Sequence, residues 1–173
     1  MRILYFAKDA PFVNSGYGKC CREICTRLRR LGHEVAVFAT IGNQSSFLFE
    51  WNGLKIYPGA GDIFGEDIFL DNYNDWKADL LITQLDVWAL RKIPEAARIQ
   101  AINWLAYAPI DSFPVPESII NPLRHAVHVV TMNNWAKTQL EGFGIHSSSI
   151  HHGIDSKIFR ILGGEKEKFK LEL

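Results

Sequence analysis

The chain has 173 residues, 47% of them apolar and 22% charged, the proportions of one soluble globular domain rather than a disordered polymer. Nineteen Lys and Arg balance nineteen Asp and Glu, which removes the strong field that a nonspecific nucleic-acid or membrane-surface binder uses. No run approaches the ~18 apolar residues of a transmembrane segment, and the start from Met1 to Asp9 meets charge too early for a secretory signal, so a cytoplasmic protein is expected.

The first apolar run, Ile3 to Ala7, predicts a buried strand. A loop from Lys8 to Tyr17, rich in Pro, Asn, Ser and Gly, leads to a helix over Gly18–Leu31, with Cys21, Ile24, Cys25, Leu28 and Leu31 along one face. Basic residues in its last turn suit the helix dipole, and Gly32 fits a C-terminal stop. Cys20, Cys21 and Cys25 are an odd, clustered set. They make no secreted disulfide framework and no four-thiolate zinc site, and they read as small core fillers.

Glu34 to Ala39 is the second strand, completing a strand-helix-strand unit that implies parallel neighbours. Residues 47–51 and 54–57 flank Asn52-Gly53, a hairpin signal. Gly59 to Gly65 reads as a loop, Glu66 to Trp76 as a helix and Asp79 to Thr83 as a buried strand. A polar tip, Gln84 to Asp86, precedes a short helix expected to end near Pro94, and Gln100 to Leu105 reads as the next strand. A proline-rich loop, Ala108 to Pro116, leads to a helix over Pro116–Arg124. Val127 to Thr131 is a strand, Asn134 to Gly142 a helix, and Ser149 to His152 a short extended piece. Strands alternating with helices predict a three-layer, Rossmann-like α/β domain with a mostly parallel sheet.

In such sheets ligands gather beyond the carboxyl ends of the strands. Four loops fall there: Lys8–Tyr17, Gln84–Trp88, Ala108–Pro116 and Met132–Trp135. Gly16-Tyr17-Gly18 ahead of a helix invites a dinucleotide reading, but Cys21 stands at the third glycine position. Ala39 and Thr40 stand where a ribose-gripping acid belongs, so nicotinamide and flavin binding are disfavoured. Gly18-Lys19 lacks the rest of a P-loop. A glycine loop can still hold an anionic or sugar ligand, or serve only its own turns. His151 and His152, adjacent on an extended segment, would point to opposite faces and not share a metal, one in the core and one in solvent. No metal site is expected. Asp86 and Asp111 follow strands as acids, bases, hydroxyl ligands or plain turn residues. Trp88, Trp104, Tyr107 and Phe113 lie in or beside two of these loops, where aromatic planes could pack on sugar rings, with Trp104 better placed in the core.

Three segments taken in order resemble the N-terminal half of retaining glycosyltransferases of the GT-B architecture, the glycogen-synthase and sucrose-synthase-like group (glycosyltransferase family 4 type). The first is Arg2-Ile3-Leu4-Tyr5-Phe6 with Gly16-Tyr17-Gly18 and Leu31-Gly32-His33-Glu34-Val35. The second is Val129 to Trp135 with Gly142, and the third is Ile150-His151-His152-Gly153-Ile154-Asp155 with Phe159. The chain departs from the pattern where Tyr107, Pro109 and Asp111 replace a histidine and where Asn133 replaces a serine. Glu165, Glu167 and Glu172 do not give the E-x7-E spacing of the second domain.

The resemblance implies transfer of a sugar, with retention, from a nucleotide-sugar donor to an acceptor hydroxyl, and no further cofactor. Residues 1–160 would form the acceptor-side domain and 161–173 a linker start or tail. The donor-binding domain would come from a further segment or a partner subunit, and the chain alone would be a poor catalyst. Asp111 is the expected catalytic residue. Gly16, Tyr17, Gly18, Gln84, Asp86, Tyr107, Asn133, His152 and Gly153 are the expected substrate or donor contacts, with the glycine loop near the donor phosphates. A non-catalytic α/β module that binds a sugar or a protein, with homodimerisation through an exposed apolar face, is the alternative.

Overall fold

The computed structural model describes residues 1–59 and 61–159. Its strands are β1 (Arg2–Asp9), β2 (Glu34–Ile41), β3 (Phe49–Trp51), β4 (Leu54–Ile56), β5 (Leu80–Gln84), β6 (Trp104–Ala108), β7 (His128–Thr131) and β8 (Ser147–Ser149). Its helices are α1 (Gly16–Arg30), α2 (Phe69–Trp76), α3 (Ile93–Gln100), α4 (Glu117–Leu123) and α5 (Asn134–Glu141), with a 3-10 turn at Val87–Ala89. Among the described residues the strands form one sheet in the order β3-β4-β2-β1-β5-β6-β7-β8. Every pairing is parallel except β3 with β4. The expected Rossmann-like α/β fold is therefore present.

The central strands β1, β2, β5 and β6 are apolar and buried on both faces, which suits a parallel sheet with cover on each side. In β1, Leu4 and Phe6 join one buried cluster with β6, α3, α4 and α5, while Ile3, Tyr5 and Ala7 join another with Cys21 and Cys25 of α1. Helices thus lie on both faces of the sheet, giving three layers. Cys21 and Cys25 are fully buried one helical turn apart, as the core-filler reading expects. The hairpin also forms: Asn52 and Gly53 both have positive φ, 48° and 76°, the combination that a two-residue turn between twisted strands requires.

Several boundaries differ from expectation, each for a physical reason. Leu31 is 74% exposed because it follows the last turn of α1 instead of extending its buried face. Pro94 begins a helix and does not end one. It sits at the first positions of α3, where the missing N–H costs no hydrogen bond. Gln100 therefore closes α3, Ala101 turns the chain through the left-handed region, and β6 starts only at Trp104. The last extended piece is β8 at Ser147–Ser149, earlier than Ser149–His152. His151 and His152 fall beyond it and both are exposed, so neither is a core histidine. The expected tail at 161–173 lies outside the described residues.

Candidate functional site

Chain order and sheet order together locate one crevice. From β1 the chain moves outward to β2 and the hairpin on one side, then returns to place β5 on the other side of β1. The loops after β1 and β5 leave in opposite directions at this switch point, opening a gap beyond the carboxyl ends where α/β sheets hold ligands.

The register carries the floor of the gap up the face covered by α1. Ala7 is paired with Gln84, Thr83 with Ala106 and Tyr107 with Val130, which puts Gln84 and Tyr107 in one row and Asp9 two residues further along β1. Gln84 is buried, and its Oε1 accepts from the Tyr5 hydroxyl at 2.9 Å. Tyr107 is also buried. Its hydroxyl donates to the Ile150 carbonyl at 3.4 Å, and the His152 ring meets its edge at 5.9 Å. Burial, then the charge of Cys20, pushes the Tyr107 phenol up to about 12. Burial and the neighbouring Cys21 push the Cys20 thiol up to about 11, with a hydrogen bond from Gln84 acting in the opposite direction.

The wall is the first turn of α1. Ser15 caps the helix, its Oγ accepting from the Gly18 N–H at 2.9 Å. Gly18 is required here: a Cβ would stand 2.3 Å from the Val13 carbonyl oxygen and 2.9 Å from that of Ala10. Gly16, by contrast, faces open space. Tyr17 reaches across the gap and donates from its hydroxyl to Asp86 Oδ1 at 3.4 Å. Burial, then Asp86, Asp111 and Asp9, push its phenol up to about 12. The Lys8 ammonium lies 5.4 Å from the centre of the same ring. Tyr17 thus bonds one carboxylate, lies beside one cation, and feels the charge of Asp111 and Asp9. Gly16, Tyr17, Asp86 and Asp111 share one rim.

Other expected residues have different surroundings. Asn133 caps α5, its Oδ1 accepting from the Ala136 N–H at 2.8 Å, which accounts for its position without a ligand. Gly153 stands in open space on an exposed segment. Trp104 is wholly buried and donates from Nε1 to the Thr83 hydroxyl at 2.9 Å, so it is a core residue. Trp88 and Phe113 are exposed, Trp88 packing edge-on against Phe64. Asp9 and Cys20 escaped the sequence reading. Asp9 was legible as the first acid at the end of a buried strand, whereas Cys20 needed the packing of α1 on the sheet to bring it beside Gln84.

Among the described residues no group of three His, Cys, Asp or Glu side chains is arranged to hold a metal ion, and no helix is long and apolar enough to cross a membrane. The fold and its switch-point crevice define a Rossmann-like α/β domain. The whole of this architecture is similar to a chain of sucrose-phosphate synthase from Thermosynechococcus elongatus, with a TM-score of 0.61 over 99% of this chain and 96% of that one at 13% identity. No family model matches the chain, and no curated protein does.

Proposed function

We propose that residues 1–160 form the acceptor-side domain of a retaining GT-B glycosyltransferase, which moves a sugar from a nucleotide-sugar donor to an acceptor hydroxyl. The observation that carries the proposal is the Tyr17–Asp86 contact across the switch point, with Asp111 following β6 at the same carboxyl edge, in a fold similar to that of sucrose-phosphate synthase. Sugar hydroxyls both donate and accept, and this rim offers carboxylates, a phenol and free helical N–H groups. Asp111, exposed at the rim, would receive or orient a reacting hydroxyl. The exposed Ile150, Ile154, Ile158 and Phe159 would dock a second, donor-binding body, either a further domain or a partner subunit. Without it the developing charge on a leaving diphosphate has too few compensating groups, and the chain alone would transfer poorly.

Transfer from radiolabelled UDP-, GDP- and ADP-sugars tests this, using the chain purified by a tag together with whatever donor-side body accompanies it. Asp111→Ala should lower transfer by about a hundredfold if the carboxylate acts on a reacting hydroxyl. Gly16→Val, which fills the open space on the rim, should raise the acceptor KM. Transfer untouched by both substitutions overturns the site assignment. Sugar binding with no transfer from any donor favours the non-catalytic binding module.

A further inference from the structure

The N-terminus of a helix with unpaired N–H groups ordinarily suits an anion. Helix α1 is fifteen residues long, has no acid in its own first turn, and leaves the Gly16 and Tyr17 N–H groups without acceptors among the described residues. Its surroundings oppose that use. Asp9, at the end of β1 and 6% exposed, accepts a hydrogen bond from the Ser15 cap through Oδ2, while its Oδ1 is buried with no partner. The two oxygens share one carbon, so the unpaired Oδ1 lies within a few Å of the Ser15 cap. Asp9 fixes the Ser15 proton and leaves the Ser15 lone pairs to Gly18, so its charge is built into the cap. Little water reaches it to screen that charge. Asp86 and Asp111 add two more negative charges around Tyr17, and Lys8 supplies one positive charge.

We infer that Asp9 is a specificity residue which closes the mouth of α1 to phosphate, so that the Gly16 loop takes ligand hydroxyls and not the diphosphate of a nucleotide sugar. The inference rests on the carbohydrate reading for the identity of the hydroxyl-bearing ligand, and it reverses the expectation that the glycine loop sits at the donor phosphates. Free N–H groups donate to hydroxyl oxygens and the carboxylates accept hydroxyl protons. A phosphate can use only the N–H groups, and the three acids repel it.

Titration of the whole chain with inorganic pyrophosphate, read by the amide resonances of Gly16 and Tyr17, tests the inference. Wild type should show little or no movement. Asp9→Asn should bind pyrophosphate at those amides ~10-fold or more tightly than wild type, as expected for losing one unscreened neighbouring charge. Asp86→Asn leaves the Ser15 cap intact and guards against a folding defect in the first variant. It should tighten binding several-fold. Wild type binding as tightly as both variants, or neither variant gaining affinity, overturns the inference. Failure of sugar transfer would remove the carbohydrate reading while leaving this measurement intact, because the titration reads only charge at α1.

Discussion

Tyr17 and Asp86 join the two lips of the switch-point crevice: the phenol at the first turn of α1 donates to a carboxylate on the loop after β5, 69 residues away in the chain. The bond is long and half-exposed, so its part in stability is small, and in titration it adds to the larger effect of burial on the phenol. Tyr17 should stay protonated in the folded protein until pH about 12, against an ordinary value of 10.0. A raised folded value means that stability is fully present below pH 10 and is lost as pH climbs through 12. Asp86→Asn should lower the Tyr17 midpoint but leave it above the ordinary range, because burial is the leading cause. The difference in alkaline absorbance between each protein and its Tyr17→Phe counterpart measures the midpoint.

The two glycines of the loop should respond in opposite ways. Gly18→Ala drives a Cβ into the Val13 and Ala10 carbonyls, and should cost about 2–4 kcal/mol, since backbone must move. Gly16→Ala meets no atom within 4 Å and should be neutral or stabilising by up to about 1 kcal/mol through the unfolded chain. Urea denaturation of the two variants decides the matter.

Cys20 should be a slow thiol. Only half-buried, it is accessible enough to label, yet its surroundings push it up to about 11. Alkylation by iodoacetamide should therefore remain well below half its limiting rate at pH 9 and keep rising toward pH 11. Cys21 and Cys25, both buried, should resist labelling until the protein unfolds. Mass mapping of the modified residue against pH checks both statements.

Glu66 anchors the start of α3 from outside the helix. Its side chain is 2% exposed and Oε1 accepts from the Lys92 and Ile93 N–H groups at 2.7 and 3.2 Å, while Oε2 lies 3.5 Å from Arg91 Nε. Glu66→Ala would orphan two N–H groups, one of them buried, and should cost about 3 kcal/mol by thermal or urea unfolding. Glu66→Gln keeps an acceptor and should recover part of the loss. Equal stability of all three proteins would contradict this role.

The same residue shows where sequence reading stopped. Local chain chemistry around Pro94 admits either the end or the beginning of a helix. The start at Pro94 is supported by a carboxylate 26 residues upstream, which accepts from the Lys92 N–H. Asn52-Gly53 shows the opposite case, because a two-residue turn needs positive φ at both positions and so names itself from composition alone. Strand alternation would split His151 and His152 between two faces, but the strand ends at Ser149. On the rim, Gly16, Tyr17 and Asp86 were legible because each follows an apolar run that ends in polar residues. Their mutual distance was not.

The sequence alone determined the layer architecture, the parallel sheet and which loops lie at its carboxyl edge, because apolar periodicity and turn chemistry act over a few residues and leave their pattern in the chain. Tertiary structure alone decided that β5 returns to the far side of β1, that Tyr17 meets Asp86 there, and that Asp9 bonds the Ser15 cap through one oxygen while the other stays buried and unpaired. Those outcomes depend on which strands pair and on charge acting through space, and neither leaves a periodic mark in the order of residues.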